Sequence, residues 1–213
     1  MSADISNGTT GNSIAVLKSS SGTVTFSGTN TYSGATTVNG GTLLINGDQS
    51  GARGNVAVNK SGSILGGVGT IGGRVTINSG ATITGGAIGT VGTLTLNNSL
   101  SFFSGTYLVD LSGAASDKLA ITGLLNLTGG ATLTFSGSVD GISSYVLATY
   151  SDGHTGEFTA SNLPADYSLI YGPNELDLVP LAAAPEPATW VGAMLGLAAI
   201  IVSRRRFSQR RLT

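Results

Sequence analysis

Short apolar runs separated by glycine, asparagine and serine recur through this chain, and one such unit repeats at a fixed spacing. The unit that begins at Gly54 aligns with the unit that begins at Gly73, which gives a period of about 19 residues. The aligned positions are Val56 with Val75, Val58 with Ile77 and Ile64 with Ile83, and a third copy continues through Leu94, Leu96 and Phe102. A unit this short cannot bury its own apolar side chains, so neighbouring units must stack and share one core.

This repeat predicts an all-β chain that folds as a β-solenoid, also called a parallel β-helix. Within each unit, apolar and polar residues alternate over a few positions, as is typical of short, half-buried strands. We expect valine, isoleucine and leucine to point inward, and threonine, asparagine and serine to point outward. Val56, Val75 and Leu94 should then stack in one column inside the solenoid.

The composition favours an exported, non-enzymatic body over a nucleic-acid-binding protein. The 213 residues include 33 glycines and no cysteine, and only 10% of them are charged. Residues 1–203 carry five basic and eleven acidic side chains, a net charge of −6, whereas residues 204–213 carry five arginines and no acid. Because phosphate contacts need clustered cations, the acidic body is not expected to bind nucleic acid. The basic tail is better explained by membrane topology.

The C-terminal region combines a proline-flanked acid, an apolar run and an arginine cluster. Pro185 and Pro187 keep Glu186 in an extended, accessible segment. The apolar run 188–202 predicts a short transmembrane helix, which would rise about 22 Å against a bilayer core of about 30 Å. The transmembrane residues that we single out are Trp190, at the interface, and Leu195, Ile200 and Val202. The alternative is a buried core helix followed by a solvated run of charges.

This ordered triad resembles the PEP-CTERM sorting signal of exported proteins in Gram-negative bacteria. The resemblance implies that residues 185–211 form the signal and that residues 181–184 are a linker. The implied roles are the recognition motif for Pro185, Glu186 and Pro187, and the retention cluster for Arg204, Arg205 and Arg206. It further implies an exosortase, a multi-pass membrane protease or transpeptidase, as the partner enzyme. The precursor would be anchored in the inner membrane, and the mature protein would be at the cell surface or outside the cell.

The segment from Gly22 to Gly47 is similar to the autotransporter-associated β-strand repeat. The residues that carry this similarity are Asn30, Tyr32, Ser33, Gly34, Thr36, Val38, Asn39, Gly40, Gly41, Thr42 and Leu43. The resemblance implies a β-helical stalk over residues 22–106 and no chemistry. We expect Val38, Leu43 and Ile45 to face the core. Asn39-Gly40 and Asn46-Gly47 should supply turns with positive φ.

The regions that flank the repeats are expected to differ from them. Residues 107–180 keep alternating apolar residues but lose the period, which predicts a β cap that covers the last turn. A separate small β domain is the alternative. Residues 1–21 are the N-terminal segment, and its first seven residues contain neither a basic nor an apolar stretch, so they are not a secretory leader. Because an exported protein needs such a leader, we expect the chain to be a piece of a longer protein with more repeats upstream, either by truncation or by a misassigned start codon. The alternative is a cytosolic protein that is never exported.

The candidate catalytic and metal-binding residues form no constellation in the sequence. The segment 67–72 has the G-x-G-x-x-G spacing of a dinucleotide-binding loop, but a strand and not a helix is expected after it. His154 is the only histidine and is expected in an exposed loop, where replacement by alanine should change stability by less than about 0.5 kcal/mol. Asp110 and Asp117 are expected to be solvated loop residues. We therefore predict no catalytic residue, no metal site and no cofactor.

The leading hypothesis is an exported structural or adhesive protein of the bacterial surface or extracellular matrix, with extracellular polysaccharide as a candidate partner. One alternative is a carbohydrate-active β-helix enzyme that resembles polysaccharide lyases. Against it, the best repeats offer only Arg53, Lys60 and Arg74, with no acid between Asp48 and Asp110. The other alternative is a fragment of an autotransporter-like passenger.

Overall fold

Strands are the only regular elements in residues 4–8 and 11–181, the part of the chain that the computed structural model describes. In chain order they are β1 (Val16–Lys18), β2 (Thr23–Phe26), β3 (Thr36–Val38), β4 (Thr42–Ile45), β5 (Asp48–Gln49), β6 (Val56–Val58), β7 (Ile64–Gly66), β8 (Thr70–Ile71), β9 (Val75–Ile77), β10 (Thr82–Thr84), β11 (Thr93–Leu96), β12 (Leu100–Gly113), β13 (Ala115–Ser116), β14 (Lys118–Ile121), β15 (Leu125–Val139), β16 (Tyr145–Tyr150), β17 (His154–Thr155), β18 (Thr159–Ser161), β19 (Tyr167–Tyr171) and β20 (Glu175–Pro180). In this described part, no helix is long and apolar enough to cross a membrane. The predicted all-β class is confirmed.

The strands coil into a parallel β-solenoid of about five turns, in which each turn has three sides. Side one contains β1, β3, β6, β9, the first residues of β12 and β15, and β17. Side two contains β2, β4, β7, β10, the later residues of β12 and β15, and β18. Side three contains β5, β8, β11, β14 and β16. All these neighbours pair in parallel, as the solenoid prediction requires.

The core lies along the axis of the solenoid and consists of stacked apolar side chains. On side one, Val38, Val58 and Ile77 occupy successive turns in register, and each is fully buried. Leu43 and Ile45, in β4 on side two, are buried as well. The inward positions predicted for the repeat are therefore confirmed, and the alternation of side chains along each strand explains them.

The predicted column of Val56, Val75 and Leu94 is wrong in its third member. Val56 pairs with Val75, 19 residues later, but Val75 pairs with Leu100, 25 residues later. Leu94 is buried on side three instead, in β11. The loop 85–92 lies between β10 and β11 and lengthens this turn. A constant period therefore does not extend to the third copy.

The predicted alignment of Ile64 with Ile83 is wrong by one residue. Leu65 pairs with Ile83, whereas Ile64 pairs with Thr82. Because successive side chains of a strand point to opposite faces, a shift of one residue exchanges the inward and outward positions. Leu65 is accordingly fully buried, and Ile64 is only partly buried.

Two corners of the solenoid, after side one and after side two, use their glycines differently from the prediction. Neither Asn39-Gly40 nor Asn46-Gly47 has a residue with positive φ, and the left-handed residue at the first corner is Gly41, with φ of 59°. A Cβ atom on Gly40 would lie 2.8 Å from the carbonyl oxygen of Ser19 in the preceding turn. Gly40 is needed because two turns approach closely there, and not because of its own φ.

The stacked turns continue into the region expected to be a cap or a small β domain. The strand β12 runs across residues 106 and 107, and it pairs with β15 along most of its length. Side three then ends in antiparallel pairing, because β20 returns against β16 and β19 returns against β20. Tyr145 of β16 and Tyr167 of β19 pack together, with ring centroids 5.9 Å apart.

Residues 1–3, 9–10 and 182–213 lie outside the described part of the chain. The predicted sorting signal falls there, with its motif, its transmembrane helix and its retention cluster. The residues concerned are Pro185, Glu186, Pro187, Trp190, Leu195, Ile200, Val202, Arg204, Arg205 and Arg206. Their roles stay predictions.

Candidate functional site

The two most distinctive residues of the repeat, Asn30 and Tyr32, are buried at the corner between side three and side one. Asn30 donates from Nδ2 to Oε1 of Gln49 and accepts at Oδ1 from the main-chain N of Ile5, at 2.6 Å. The hydroxyl of Tyr32 forms a 2.6 Å hydrogen bond with Oγ1 of Thr36. Both motif side chains are thus engaged inside the protein, which gives them a structural role.

Lys18 is a buried cation in the first turn, at the inward position that Val38 occupies in the next turn. Its Nζ donates to the main-chain oxygens of Ser20 and Gly40, the latter at 2.7 Å. Carbonyl oxygens of the corner therefore compensate part of the cost of burying the ammonium group. The sequence analysis did not single out Lys18. A lysine at a strand position where the other turns have an apolar residue could have indicated a buried charge.

Asparagine side chains form a ladder at the corner between side one and side two. Nδ2 of Asn59 donates to Oδ1 of Asn39 at 3.0 Å, and Nδ2 of Asn78 donates to Oδ1 of Asn59 at 2.6 Å. Asn59 thus donates to one neighbour and accepts from the other, as in stacked amide ladders of cross-β structures. The ladder fixes the register of three successive turns.

Asp110 and Asp117 are a pair of buried carboxylates, so the prediction that they are solvated loop residues is wrong. Asp110 lies between the core residues Val109 and Leu111 of β12, yet it is only 4% exposed, and Asp117 is fully buried. The main-chain N of Asp110 donates to Oδ2 of Asp117 at 3.1 Å. The reason for the burial is the loop 85–92, which folds over both carboxylates.

Main-chain N–H groups of this loop bond directly to the two aspartates. Gly89 donates to Oδ2 of Asp110 at 2.6 Å, and Gly92 donates to Oδ1 of Asp117 at 2.8 Å. Thr84, from β10, donates through Oγ1 to Oδ2 of Asp117 at 2.7 Å. Thus Asp117 accepts three hydrogen bonds in all, whereas Oδ1 of Asp110 is buried with no hydrogen-bond partner.

Burial raises the pKa of the Asp117 carboxyl group. The hydrogen bonds from Thr84, Asp110 and Gly92 oppose this shift, and the nearby charge of Asp110 adds to it. Within the described residues, neither carboxylate is paired with a lysine or arginine. Asp117 is therefore a buried carboxyl group that no basic side chain of the described residues neutralises.

His154 lies in strand β17 and not in the exposed loop that the sequence suggested. Its ring packs between Tyr150 and Tyr171, with centroid distances of 5.5 Å and 5.1 Å. Nδ1 of His154 donates to the carbonyl oxygen of Gly156 at 3.0 Å. Burial, followed by the charges of Tyr171, Asp177 and Glu175, raises the pKa of Tyr150 to about 12. The histidine is part of an aromatic stack.

Among the described residues, two grooves on the outer surface contain side chains that could contact a ligand. The larger, of about 480 Å³, follows side three and is lined by Thr95, Ala120, Ile121, Thr122, Thr149, Tyr150, Ser151, Asn174 and Glu175. The other, of about 370 Å³, is lined by Ser50, Gly51, Arg53, Gly72, Asn97 and Asn98. Arg53 is its only charged lining residue, and Arg74 and Lys60 are exposed elsewhere. The three basic residues of the repeats do not converge on one groove.

Carboxylates and histidine do not gather into larger clusters in the described part of the chain. Residues 4–8 and 11–181 contain no group of three or more His, Cys, Asp or Glu side chains that could hold a metal ion. Any cation at the Asp110–Asp117 pair would take its remaining ligands from hydroxyl groups, main-chain carbonyls and water.

Comparison with known proteins locates the family resemblance at the first turns of the solenoid. The sequence profile of the passenger-associated-transport-repeat family matches residues 16–45. In the structure this segment begins at the first residue of β1 and ends at the last residue of β4. It therefore spans sides one and two of two successive turns, together with the corner that holds Asn30 and Tyr32.

The search of curated proteins finds no match for this chain. The autotransporter-repeat part of the expected resemblance is confirmed over residues 16–45. The repeat and the β-helix fit a passenger-like segment of an exported surface protein. The PEP-CTERM part of the resemblance stays a prediction.

The buried aspartates are the functional candidates that sequence reasoning misplaced. Asp110 lies between two apolar residues in the alternating run from Tyr107 to Leu111. An acid inside such a run is either outward and solvated or covered by another segment. The sequence carries no sign of which segment would cover it.

Proposed function

We propose that this chain is a passenger-like segment of an exported bacterial protein, in which the solenoid acts as a non-catalytic surface stalk. The proposal is supported by the continuity of the strand ladders. The segment that matches the passenger repeat forms the first ladders of parallel strands, and these ladders continue without interruption on sides one and two as far as β17 and β18. A stack joined by main-chain hydrogen bonds along its axis is suited to hold a binding surface away from the cell.

The location can be tested by protease treatment of intact cells that express the full-length protein. Proteinase K should remove antibody-detected solenoid epitopes from intact cells, while a periplasmic marker remains protected until the outer membrane is opened. Complete protection of the solenoid in intact cells, with digestion only after lysis, would contradict surface exposure.

A second candidate function, as an exosortase substrate, rests on the ordered motif, apolar run and arginine cluster of residues 185–211. We propose cleavage near Pro185 to Pro187 in a host that has an exosortase, after transient anchoring in the inner membrane. Glu186 lies between two rigid prolines and would present a preorganised carboxylate to the enzyme. The arginines at 204–206 would stop translocation.

Mass spectrometry of the mature protein tests this second candidate separately. The expected C-terminus lies near Pro187, and the Glu186→Ala variant should accumulate as uncleaved, membrane-bound precursor. Asp152→Ala, which replaces an exposed acid of the body, is the matched control and should be processed normally. Mature extracellular protein that still contains Arg210 and Arg211 would exclude the sorting function but leave the stalk function intact.

Extracellular polysaccharide is the partner that we propose for the groove on side three. Its wall offers threonine and serine hydroxyls, the Asn174 amide and the Glu175 carboxylate, which are groups that hydrogen-bond to sugars. Binding to purified matrix polysaccharide should weaken in a Thr149→Ala, Asn174→Ala double variant. The control is Thr70→Ala, which lies on side three outside the groove. Equal binding by the unaltered protein, the double variant and Thr70→Ala would show that the polysaccharide does not bind in this groove.

A further inference from the structure

Asp110 combines burial, a carboxylate charge and an unused acceptor. Its side chain is 4% exposed, and its Oδ2 accepts a hydrogen bond from the main-chain N of Gly89. Its Oδ1 is buried with no donor in contact. A buried charged oxygen without a partner is costly, because it has lost its hydration and gained nothing in exchange. Asp110 is on the outward face of β12, where an uncharged serine or threonine would avoid this cost.

A second buried carboxylate, that of Asp117, lies near Asp110 and adds to the negative charge that must be compensated. Asp117 contacts the main-chain N of Asp110 at 3.1 Å, so the two side chains belong to one buried polar cluster. The charge of Asp110 acts on Asp117 within this cluster, and like charges repel each other more strongly where water is excluded. The main-chain and hydroxyl donors of Gly89, Gly92 and Thr84 carry only partial positive charge. They cannot neutralise two carboxylates.

A cavity of about 300 Å³ adjoins Asp110, and its wall is rich in oxygen. Thr90 belongs to the loop that covers the aspartates, and Ser112 and Ser136 lie on β12 and β15. Ser136 is the direct neighbour of Asp110 in the parallel ladder. Hydroxyl groups, main-chain carbonyls and one carboxylate at a partly open cavity are the hard oxygen ligands that Ca²⁺ prefers.

We propose that Asp110 and Asp117 bind a divalent cation, Ca²⁺, in this cavity, and that the cation holds the loop 85–92 against side two. Asp110 would supply its carboxylate as a direct ligand, and Asp117 would add the second negative charge. Thr90, Ser112, Ser136 and water would complete the coordination shell. With only two carboxylates, we expect the weak affinity of extracellular calcium modules, with Kd on the order of 10⁻⁴–10⁻³ M.

The first test is thermal unfolding of the full-length protein, freed of metal with a chelator and titrated with CaCl₂. At a Ca²⁺ concentration about ten times Kd, the unfolding midpoint should rise by roughly 3–5 °C. MgCl₂ should give a smaller rise, because Mg²⁺ gives up water reluctantly and demands octahedral geometry. Asp110→Asn keeps the size of the side chain but lowers its charge, and it should abolish the calcium response. Asp152→Asn, an exposed control, should retain the response.

The second test uses only the unaltered protein, so it does not depend on whether the Asp110→Asn variant folds. In a ¹H–¹⁵N NMR titration with CaCl₂, the amide signals of Gly89, Gly92 and Asp110 should shift together and saturate. These are the three amides that bond to the two carboxylates. Saturable shifts confined to other residues, or no saturable shift at millimolar Ca²⁺, would overturn the proposal.

A proton could satisfy the same pair of carboxylates, and the experiment separates the two outcomes. If the unfolding midpoint rises on mild acidification while CaCl₂ has no effect at neutral pH, the pair holds a proton and the cation site is refuted. Retention of the full calcium response in folded Asp110→Asn would refute it equally. Neither result would affect the stalk function, which rests on other residues.

Discussion

Nδ2 of Asn78 donates a 2.6 Å hydrogen bond to Oδ1 of Asn59, the residue beside it in the preceding turn of the solenoid. Asn59 in turn donates to Asn39, so its side chain links three turns at one corner. The ladder shows how a polar residue at a fixed place in a repeat can define the register between turns, in addition to the apolar columns of the core.

Asn59→Ala should lower the free energy of unfolding by about 1–2 kcal/mol, because it removes two side-chain hydrogen bonds and leaves the partner amides unpaired. Urea denaturation measures this change. Ser61→Ala, at an exposed position of the same corner, serves as the control and should be close to neutral. If Asn59→Ala lowers the free energy of unfolding no more than Ser61→Ala does, the ladder does not contribute to stability.

Gly54→Ala should destabilise the solenoid by about 1–3 kcal/mol. A Cβ atom at this position would clash with the carbonyl oxygen of Gly34 in the preceding turn, so the main chain of two turns would have to move apart. Gly22→Ala is the matched control, because a Cβ there meets no atom within 4 Å. Chemical denaturation of both variants should show a loss only for Gly54→Ala.

His154→Ala should lower the free energy of unfolding by about 1–2 kcal/mol, more than the sequence alone predicts. The reason is the loss of two ring contacts, with Tyr150 and Tyr171, and His154→Phe should restore most of the stability. We still expect no effect on surface function. A hydrolase or lyase activity that disappears with His154→Ala would show that the histidine is catalytic.

Protonation of Asp140 in acid should destabilise the folded protein. Hydrogen bonds from Ser143, then from Ile142, lower the pKa of the Asp140 carboxyl group to about 2, below its ordinary value of 3.8. A lowered folded-state pKa stabilises the protein above the ordinary value, and this stabilisation is lost as the pH falls from about 4 to about 2.

Carbon-detected NMR titration of the Asp140 carboxyl group measures this pKa directly. The thermal midpoint of the unaltered protein should exceed that of Asp140→Asn near neutral pH, and the difference should shrink toward pH 2. An unchanged difference across that range would indicate that charge at Asp140 does not matter.

Local alternation was sufficient to predict the inward side chains of the repeats. Val38, Leu43 and Ile45 are buried because each lies at an inward position of a short strand, and this depends only on neighbours in the chain. The pairing of Val56 with Val75 was predictable for the same reason, since the two units have equal length. Leu94 was misplaced because the next turn is longer, and spacing in the sequence does not reveal where an added loop leaves the stack.

The candidate cation site, in contrast, could not be predicted from local alternation. Asp110 and Asp117 read as ordinary turn residues, and their burial depends on a loop that is distant in the sequence. Oδ2 of Asp110 bonds to Gly89, 21 residues earlier, and Oδ1 of Asp117 bonds to Gly92, 25 residues earlier. No local pattern records these contacts.

Apolar alternation and a short repeat are enough to predict a stack of short parallel strands, because they leave no other way to bury the core. The register of each turn, the burial of Lys18, the packing of His154 between two tyrosines and the covering of the two aspartates follow only from the folded chain. The physical reason is that strand alternation is a property of adjacent residues. The environment of a polar side chain is instead set by whichever segment folds over it, and that segment can come from any turn.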